Sequence, residues 1–557
     1  MSVLGKKWTM KSTSCAKPIL EILLENRGLL SNEEKEAFLN SERAFHDPYL
    51  MKDMAKSVEK IKQAIANEER IIIFGDYDVD GLTSAAILYH TLKDLDAKSS
   101  VRLPNREKDG YGLSKKFIDE FEELGVKLVI TVDCGISCAD EITYAKEKGI
   151  ETIITDHHQI PEKFPKDAYS INHPKQEDCS YPFDDLTGAG VALKLAQALL
   201  TDHPELVQKT EALTELAALG TIADLGRVKD ENRLIIKKGL SNLTKTQWPG
   251  LRILKELVNS GKKEVNTETV GYQLAPRLNA AGRIGDPYNA LKLLIGTDEQ
   301  ALYQYGKDLE ALNQERRKMT VEAYAQAYDN FKFKKPEDIP YILIAHHKDW
   351  HVGILGLSAS RLAEKFGKPA IVMQELGDTL VGSARSIQAF NIVEALAEAK
   401  EHLINFGGHK EAAGFTIEKA NLSKFKEVIE KFAEKKLKNQ DLRPNIDIDC
   451  ELQGSMVKDS LIEDIYKLKP FGIRNHRPIF KIRNVEPTLA KTVGRTNDHI
   501  KFDAIINEKQ IPAIGFRLGS HIDDMRRAKS IDIICYIDFN EWNGNKKLQL
   551  EIVDFKC

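Results

Sequence analysis

The sequence predicts an α/β protein of several domains. A parallel-sheet domain comes first, a smaller α/β domain follows through a long helix, and a β-barrel closes the chain. Three observations carry this reading. Between about residues 56 and 235, short apolar runs alternate with helical stretches, the pattern of a parallel sheet covered by helices on both faces. A second, shorter alternation runs from about 340 to 435. From about 440 to 557 the pattern changes to short strand-like runs separated by turns, which suits a small barrel or sandwich. At 557 residues the chain is too long for one core, and roughly two to four domains are expected. A hydrophobic fraction of 42% and a charged fraction of 29% belong to a globular chain. The net charge of -4 does not announce a nucleic-acid binder, although a carboxylate-rich metal centre can offset basic surface elsewhere.

In chain order, residues 1–55 read as a helical, peripheral segment, with helical patterns at Glu33–Phe38 and Met54–Ile65. Residues 56–235 form the first α/β domain. Its strand candidates are Ile71–Phe74, Ser100–Leu103, Lys127–Val132 and Glu151–Thr155, with helices at Ser84–Leu95, Lys115–Leu124 and Ala139–Lys148 between them. Residues 236–335 are a helical linker region, and its charged stretch from 297 to about 332 reads either as a connector helix or as a solvated face. KKPEDIP marks a boundary before the second α/β domain, 336–437, and 438–557 is the barrel. The N-terminus lacks an apolar core of signal-peptide length, and no run of about 18 apolar residues could span a membrane. The seven cysteines, at 15, 134, 138, 179, 450, 535 and 557, show no paired CxxC spacing. Reduced thiols in a cytoplasmic protein are expected.

The chemistry concentrates after the first strand, in IIIFGDYDVDG (71–81). Asp76, Asp78 and Asp80 recur at every second position. Three carboxylates so close repel one another and raise one another's pKa, so a divalent cation is the expected compensation. Capping the next helix would need only one of them. The other strands also end in reactive groups: Asn105 and Arg106 after the second, Asp133 in TVDCG after the third, and Asp156, His157 and His158 in ITDHH after the fourth. Sites in open α/β sheets form at these carboxyl ends. Asp224, in LGTIADLGRV, is either a helix-end cap or a further ligand. Such a set suits a two-metal site that hydrolyses a phosphate ester or anhydride, and imidazole shifts preference towards Mn²⁺ over Mg²⁺.

Three later stretches point to anions. VGYQLAPRLNAAGRIGDP carries Arg277, Asn279 and Arg283 and reads equally as an anion-binding segment or an interdomain loop. LVGSARSI and INFGGHKEAAGF supply Ser383, Arg385, Ser386, Gly408 and His409 among small residues that let a ligand approach the backbone closely. In the barrel, 14 Lys/Arg stand against 6 Asp/Glu between 467 and 529, with Phe471, Phe480, Phe502 and Phe516 interleaved. That excess suits single-stranded nucleic acid, while most of the phenylalanines are expected in the core.

At GDYDVDG (75–81), PNR (104–106) with GYGLS, TVDCG (131–135), TDHH (155–158), ADLG (223–226), APRLNAAGR (275–283), SARS (383–386) and GGHxxAAG (407–414), the chain resembles the DHH phosphoesterase superfamily with its DHHA1 domain. Within it, the likeness is to the bacterial single-stranded-DNA-specific exonucleases, over nearly the whole length. The resemblance implies a DHH and a DHHA1 domain facing one another across a cleft, joined by a long helix, with an OB-like barrel. It also implies a 5′→3′ exonuclease needing two Mn²⁺ or Mg²⁺ ions, with metal ligands Asp78, Asp80, Asp133, His157 and Asp224. Asp76 and Asp156 support or join that set, and His158 faces the scissile phosphate. Asn105, Arg106, Arg277, Asn279, Arg283, Ser383, Arg385, Gly408 and His409 become DNA contacts. One departure is Arg474 in PFGIRN, where the family has glycine; either the turn differs or Arg474 adds a phosphate contact. By the same likeness the substrate is single-stranded DNA, in recombination and repair. Single-strand-binding protein and a RecQ-type helicase are the implied partners, and the protein is monomeric with no membrane contact. Two alternatives differ in class: a DHH hydrolase of oligonucleotides, cyclic dinucleotides or pyrophosphate, and a non-catalytic replication scaffold. The basic barrel argues against the first and the full ligand set against the second.

Overall fold

In the computed structural model, residues 2–557 are described apart from 13–16, 41–42, 107, 111, 259–263, 336–337 and 543–544. Cys15, Tyr111 of the GYGLS motif and the centre of KKPEDIP therefore lie outside the described residues. The chain forms two compact units, Ala44–Leu442 and a second made of Met1–Arg43 with Arg443–Cys557.

In the larger unit, strands β1 (Arg70–Gly75), β2 (Ser99–Arg102), β3 (Val126–Val132), β4 (Glu151–Thr155) and β5 (Ser170–Asn172) form one sheet. Their order is β2-β1-β3-β4-β5 and every pairing is parallel. β1 alternates between two cores, which is why it reads as a continuous apolar run. Ile71 and Ile73 pack on one face with Leu82, and Ile72 and Phe74 on the other with Phe117 and Phe121. The strand order reverses between β1 and β3, so the crevice beyond their carboxyl ends is the expected ligand site. Register holds the ends level: Gly75 pairs with Val132, Val132 with Thr155, and Thr155 with Asn172. Helices α1 (Val79–Asp94), α2 (Gly188–Leu199) and α3 (Val207–Ala223) cover the crevice side.

The 264–287 stretch is helical rather than a loop. A π-helical turn, Val270–Leu274, runs into α4 (Ala275–Ile284), whose Pro276 lies in the first turn where no backbone donor is lost. The charged stretch becomes α5 (Glu299–Asp329). Its Leu302 and Leu309 belong to the first core, and its Ala323 and Ala327 pack with α6 (Val352–Phe366) in another. Strands β6 (Leu343–His347), β7 (Ala370–Leu376), β8 (Thr379–Arg385), β9 (Leu403–His409) and β10 (Ala412–Glu418) form the second sheet. Its order is β9-β10-β8-β7-β6, with only β6 and β7 parallel.

The smaller unit holds a closed barrel of β11 (Phe480–Val493), β12 (His499–Ile506), β13 (Lys509–Gly515), β14 (Ile531–Trp542) and β15 (Asn545–Lys556). The order is β11-β12-β13-β15-β14, with β14 closing onto β11, as in OB folds. Two expectations are corrected here. The stretch at 446–452 is no barrel strand: Asn445–Ile448 pairs in parallel with Lys7–Met10, and only Cys450–Glu451 reaches β11. The N-terminal residues are neither wholly helical nor peripheral, because Ile22, Leu23 and Leu24 enter the barrel core and Trp8 Nε1 donates to Asp554 at 2.9 Å. Phe480 and Phe502 are core, as expected, while Phe516 is half exposed. Arg474 takes φ +65 in the turn between Gly472 and Asn475. The turn thus keeps the left-handed geometry that glycine accepts freely, at a cost of about 1 kcal/mol for arginine.

Candidate metal centre and arginine pocket

The level strand ends bring Asp76, Asp78, Asp80, Asp133, His157, His158 and Asp224 into one crevice. Asp78 caps α1, its Oδ1 accepting from Gly81 N at 3.1 Å. Asp80, one residue inside the helix, is buried and accepts from Gly188 N and Ala189 N, both at 2.8 Å. The start of α2 therefore orients this carboxylate, and the Gly-rich TGAG (187–190) was the sequence signal for it. Close approach demands glycines: a Cβ on Gly188 would lie 2.6 Å from Asp133 Oδ1, and one on Gly220 would lie 2.7 Å from Asp80 Oδ1. Asp133 sits buried at φ +58, a left-handed conformation that aspartate tolerates better than most residues.

Asp156 is not a free ligand. Its Oδ1 accepts from His157 N at 2.7 Å and His158 N at 3.1 Å and faces His158 Nδ1 at 2.7 Å, while Oδ2 accepts from Ile136 N at 3.0 Å. Burial works against its charge, but the His158 contact holds its pKa below the usual carboxylate range. His158 is itself desolvated, yet Asp156 lifts it to about 9, so it carries a proton at neutral pH. Burial and the His158 charge push His157 down to about 3, leaving it a neutral imidazole, the form that ligates metals. Burial and Asp78 raise Asp76 to about 8. Burial also drives Asp80 and Asp133 well up, with Asp224 the next cause for the first and Asp80 for the second.

Carboxylates so displaced call for cations, and the donors fit them. Two triads, Asp80–His157–Asp224 and Asp76–Asp78–Asp133, each offer ligand atoms within 4.8 Å of one another. His157 Nε2 lies 3.0 Å from Asp133 Oδ1, 3.8 Å from Asp80 Oδ2 and 3.9 Å from Asp224 Oδ2. An octahedral ion with bonds of about 2.1 Å spaces its ligands by roughly 3.0 Å (cis) and 4.2 Å (trans). Asp133 Oδ1 and His157 Nε2 are both buried and neither makes a hydrogen bond, although they stand 3.0 Å apart. Two such atoms facing one another suit two ligands of a common cation. Asp133, a member of the second triad, stands 3.0 Å from His157 of the first, so the two triads adjoin.

Beside the carboxylates lies their electrostatic opposite. Arg106 packs 4.3 Å over the Tyr77 ring and donates to Gly282 O at 3.1 Å. Arg283 donates to Gly353 O at 3.3 Å. Arg385 donates to Ser383 Oγ at 3.3 Å and Ala384 O at 2.9 Å. Burial, then the Arg106 and Arg316 charges, pull Arg283 down to about 10. Among the described residues none of these arginines meets a carboxylate within ion-pair distance. Other expected contacts fall elsewhere. Arg277 is held by Glu310 and by Gln273 O, which uses its guanidinium inside the fold. Asn279 Oδ1 accepts from Val79 N at 3.1 Å and so fixes the aspartate turn. Asn105 Oδ1 accepts from Lys108 N, and its own N–H donates to Asp109. Gly408, at φ +143, and the exposed His409 lie on the β9–β10 hairpin. Arg316 was hidden in the charged helical stretch, where composition alone offers no signal to separate it from its solvated neighbours.

Comparisons with known proteins agree along the chain. Residues 70–221 match the DHH family, N-terminal domain, 338–435 the DHHA1 domain, and 448–554 the RecJ OB domain. Single-stranded-DNA-specific exonuclease RecJ of Bacillus subtilis is 38% identical over 542 residues, 96% of this chain and 68% of that protein. The Salmonella typhimurium protein of the same name is 30% identical over 96% of this chain and 95% of its own length. The crystal structure of RecJ from Thermus thermophilus with Mn²⁺ superposes with a TM-score of 0.83 at 26% identity, covering 99% of this chain and 79% of that one. Its Mg²⁺ form gives 0.77 at 25% identity over 99% and 78% of the two chains.

Proposed function

We propose that this chain, which belongs to the RecJ family, is a single-stranded-DNA-specific 5′→3′ exonuclease that hydrolyses phosphodiester bonds and releases 5′-mononucleotides. The observation that carries the reaction type is Asp133, buried, a member of one ligand triad and 3.0 Å from His157 of the other, beside arginines that meet no carboxylate within ion-pair distance among the described residues. Bound Mn²⁺ or Mg²⁺ would supply Lewis acidity at the phosphate and an acidified water. Asp76, Asp78, Asp80, Asp133, His157 and Asp224 would hold the two ions. Asp80, locked by the amides of α2, and His157, kept neutral, are preorganised for that task. His158, protonated and oriented through Nδ1 by Asp156, would present Nε2–H to a phosphate oxygen. Arg106, Arg283, Arg385 and Ser383 would bind strand phosphates next to the reacting one.

The division of labour follows the expected domains: residues 56–235 cleave, 236–335 connect and supply Arg283, 336–437 bind phosphate together with Arg106 and Arg283, and 438–557 grip single-stranded DNA. Partnership with single-strand-binding protein and a RecQ-type helicase, a monomeric state and a cytoplasmic site of action are part of this reading and rest on family likeness. A cleavage time course on 5′- and 3′-labelled single strands, with each metal and with Asp80→Ala beside wild type, tests it. Label released first from the 5′ end, only in the wild type with metal, is expected. Preference for a dinucleotide, or two equally inactive proteins, would overturn it.

A further inference from the structure

The connector helix α5 presents one buried stripe to its neighbours. At its start the stripe is Leu302 and Leu309, packed in the first core; at its end it is Ala323 and Ala327, packed against α6. A connector serving only to join two domains would stay apolar between them. Here the middle of the stripe is polar: Asn313 and Thr320 are buried at 2% and 1% exposure, with Arg316 between them. Thr320 Oγ1 donates to Arg316 O at 2.7 Å, and one Arg316 terminal nitrogen donates to Asn313 Oδ1 at 2.8 Å. The guanidinium is thus braced from within its own helix. Its Nε is buried and makes no hydrogen bond, and among the described residues no carboxylate lies within ion-pair distance. Desolvating a guanidinium without a counter-charge is costly, so a fixed anion is the natural complement. The helices α4 and α6 that pack against α5 border the pocket already described. Arg283 ends α4 and donates to Gly353 O on α6, and a Cβ on Gly356 of α6 would touch Arg385 and Ser383. The Arg316 charge reaches Arg283, where it helps depress that pKa.

We propose that Arg316 is a phosphate-binding residue of the arginine pocket, so that the connector helix itself takes hold of the DNA backbone. The inference rests on the single-stranded DNA reading above. The test compares the full-length Mn²⁺ enzyme with Arg316→Gln and Arg316→Lys on a 5′-phosphorylated single strand, as a function of salt. For Arg316→Gln, KM is expected to rise roughly tenfold with kcat unchanged. The slope of log(1/KM) against log[salt] should fall by about 0.7, the loss of one phosphate contact on a single strand. Arg316→Lys should restore the slope, because the charge is kept, and leave KM raised a fewfold, because the planar donors are lost. Wild-type KM and slope in Arg316→Gln would overturn the proposal. If Arg316→Gln does not fold, Arg316→Lys decides alone, and a wild-type KM there overturns it. If wild type cleaves no single strand, the DNA reading fails separately and inorganic phosphate becomes the probe. A phosphate-induced rise in Tm present in wild type and lost in the folded variant supports the role, and an equal rise in both removes it.

Discussion

The two charged sites of the larger unit are built as opposites. Apart from the Asp156–His158 pair, the crevice at the strand ends gathers carboxylates with no cation beside them, and among the described residues the neighbouring pocket gathers arginines with no carboxylate within ion-pair distance. Both are largely desolvated, and both distort the ionisation of their members: Asp76 rises to about 8 and Arg283 falls to about 10. Had the fold needed only internal charge balance, the two sets would be interleaved as ion pairs, as Lys194 and Glu231 are in the same unit, 3.0 Å apart and fully buried. Keeping them apart leaves each set to a ligand of opposite sign, cations for one and phosphates for the other. The separation is the physical signature of a site that holds metal and nucleic acid together.

That contrast can be broken from either side. Asp133→Asn removes the carboxylate that links one triad to His157 of the other, and cleavage is expected to fall on the order of 10³-fold. The same change relieves charge repulsion, so the metal-free variant should melt higher than metal-free wild type while losing the Mn²⁺-induced rise in Tm; a calorimetric scan with and without metal reads both. Arg283→Lys keeps the charge but loses the planar fork, and kcat/KM on single strands should drop about 10- to 100-fold with the Mn²⁺-induced Tm shift intact. Loss of metal stabilisation in this variant would mean that the sites are not separable. Gly220→Ala drives a methyl towards Thr83 Oγ1 and Asp80 Oδ1, and denaturant unfolding should show a loss of about 1–3 kcal/mol together with weaker metal binding.

Glu215 on α3 supplies a reference remote from either site. It is 4% exposed, its Oε2 has no hydrogen-bond partner, and burial lifts it to about 7, with Thr246 and Lys255 opposing. The folded state therefore holds a proton that the unfolded state releases. Its contribution is fully present below the unfolded pKa near 4.5 and is lost as pH rises through about 7. Glu215→Gln should flatten stability against pH in that window and stabilise at pH 8 by on the order of 1 kcal/mol, with cleavage unchanged. A fall in activity would show that α3 couples this position to Asp224.

The metal centre was legible because its residues sit at the ends of apolar strands, where local sequence spacing and the rule for parallel sheets give the same answer. Asp76, Asp78 and Asp80, then Asp133, then His157 each follow an apolar strand, and the sequence alone assigns them to one crevice. The arginine pocket was less legible. Arg277 and Arg283 lie six residues apart on one segment and look alike in sequence, yet Glu310 claims the first and leaves the second to the pocket. Arg316 looks like one charge among many on a solvated helix, yet its Nε is buried and makes no hydrogen bond.

What the sequence determined by itself is therefore the four strands that carry the site, the ligand types at their ends and the barrel class of the last region, since these follow from periodicity and residue chemistry over short spans. Tertiary structure alone decided which cation is spent inside the fold and which is left for a ligand. It also decided that Asn279 braces the aspartate turn rather than standing free, and that residues 1–43 complete the barrel's core. Each of these depends on a partner tens to hundreds of residues away, and pairing at that range is fixed by packing and not by local preference.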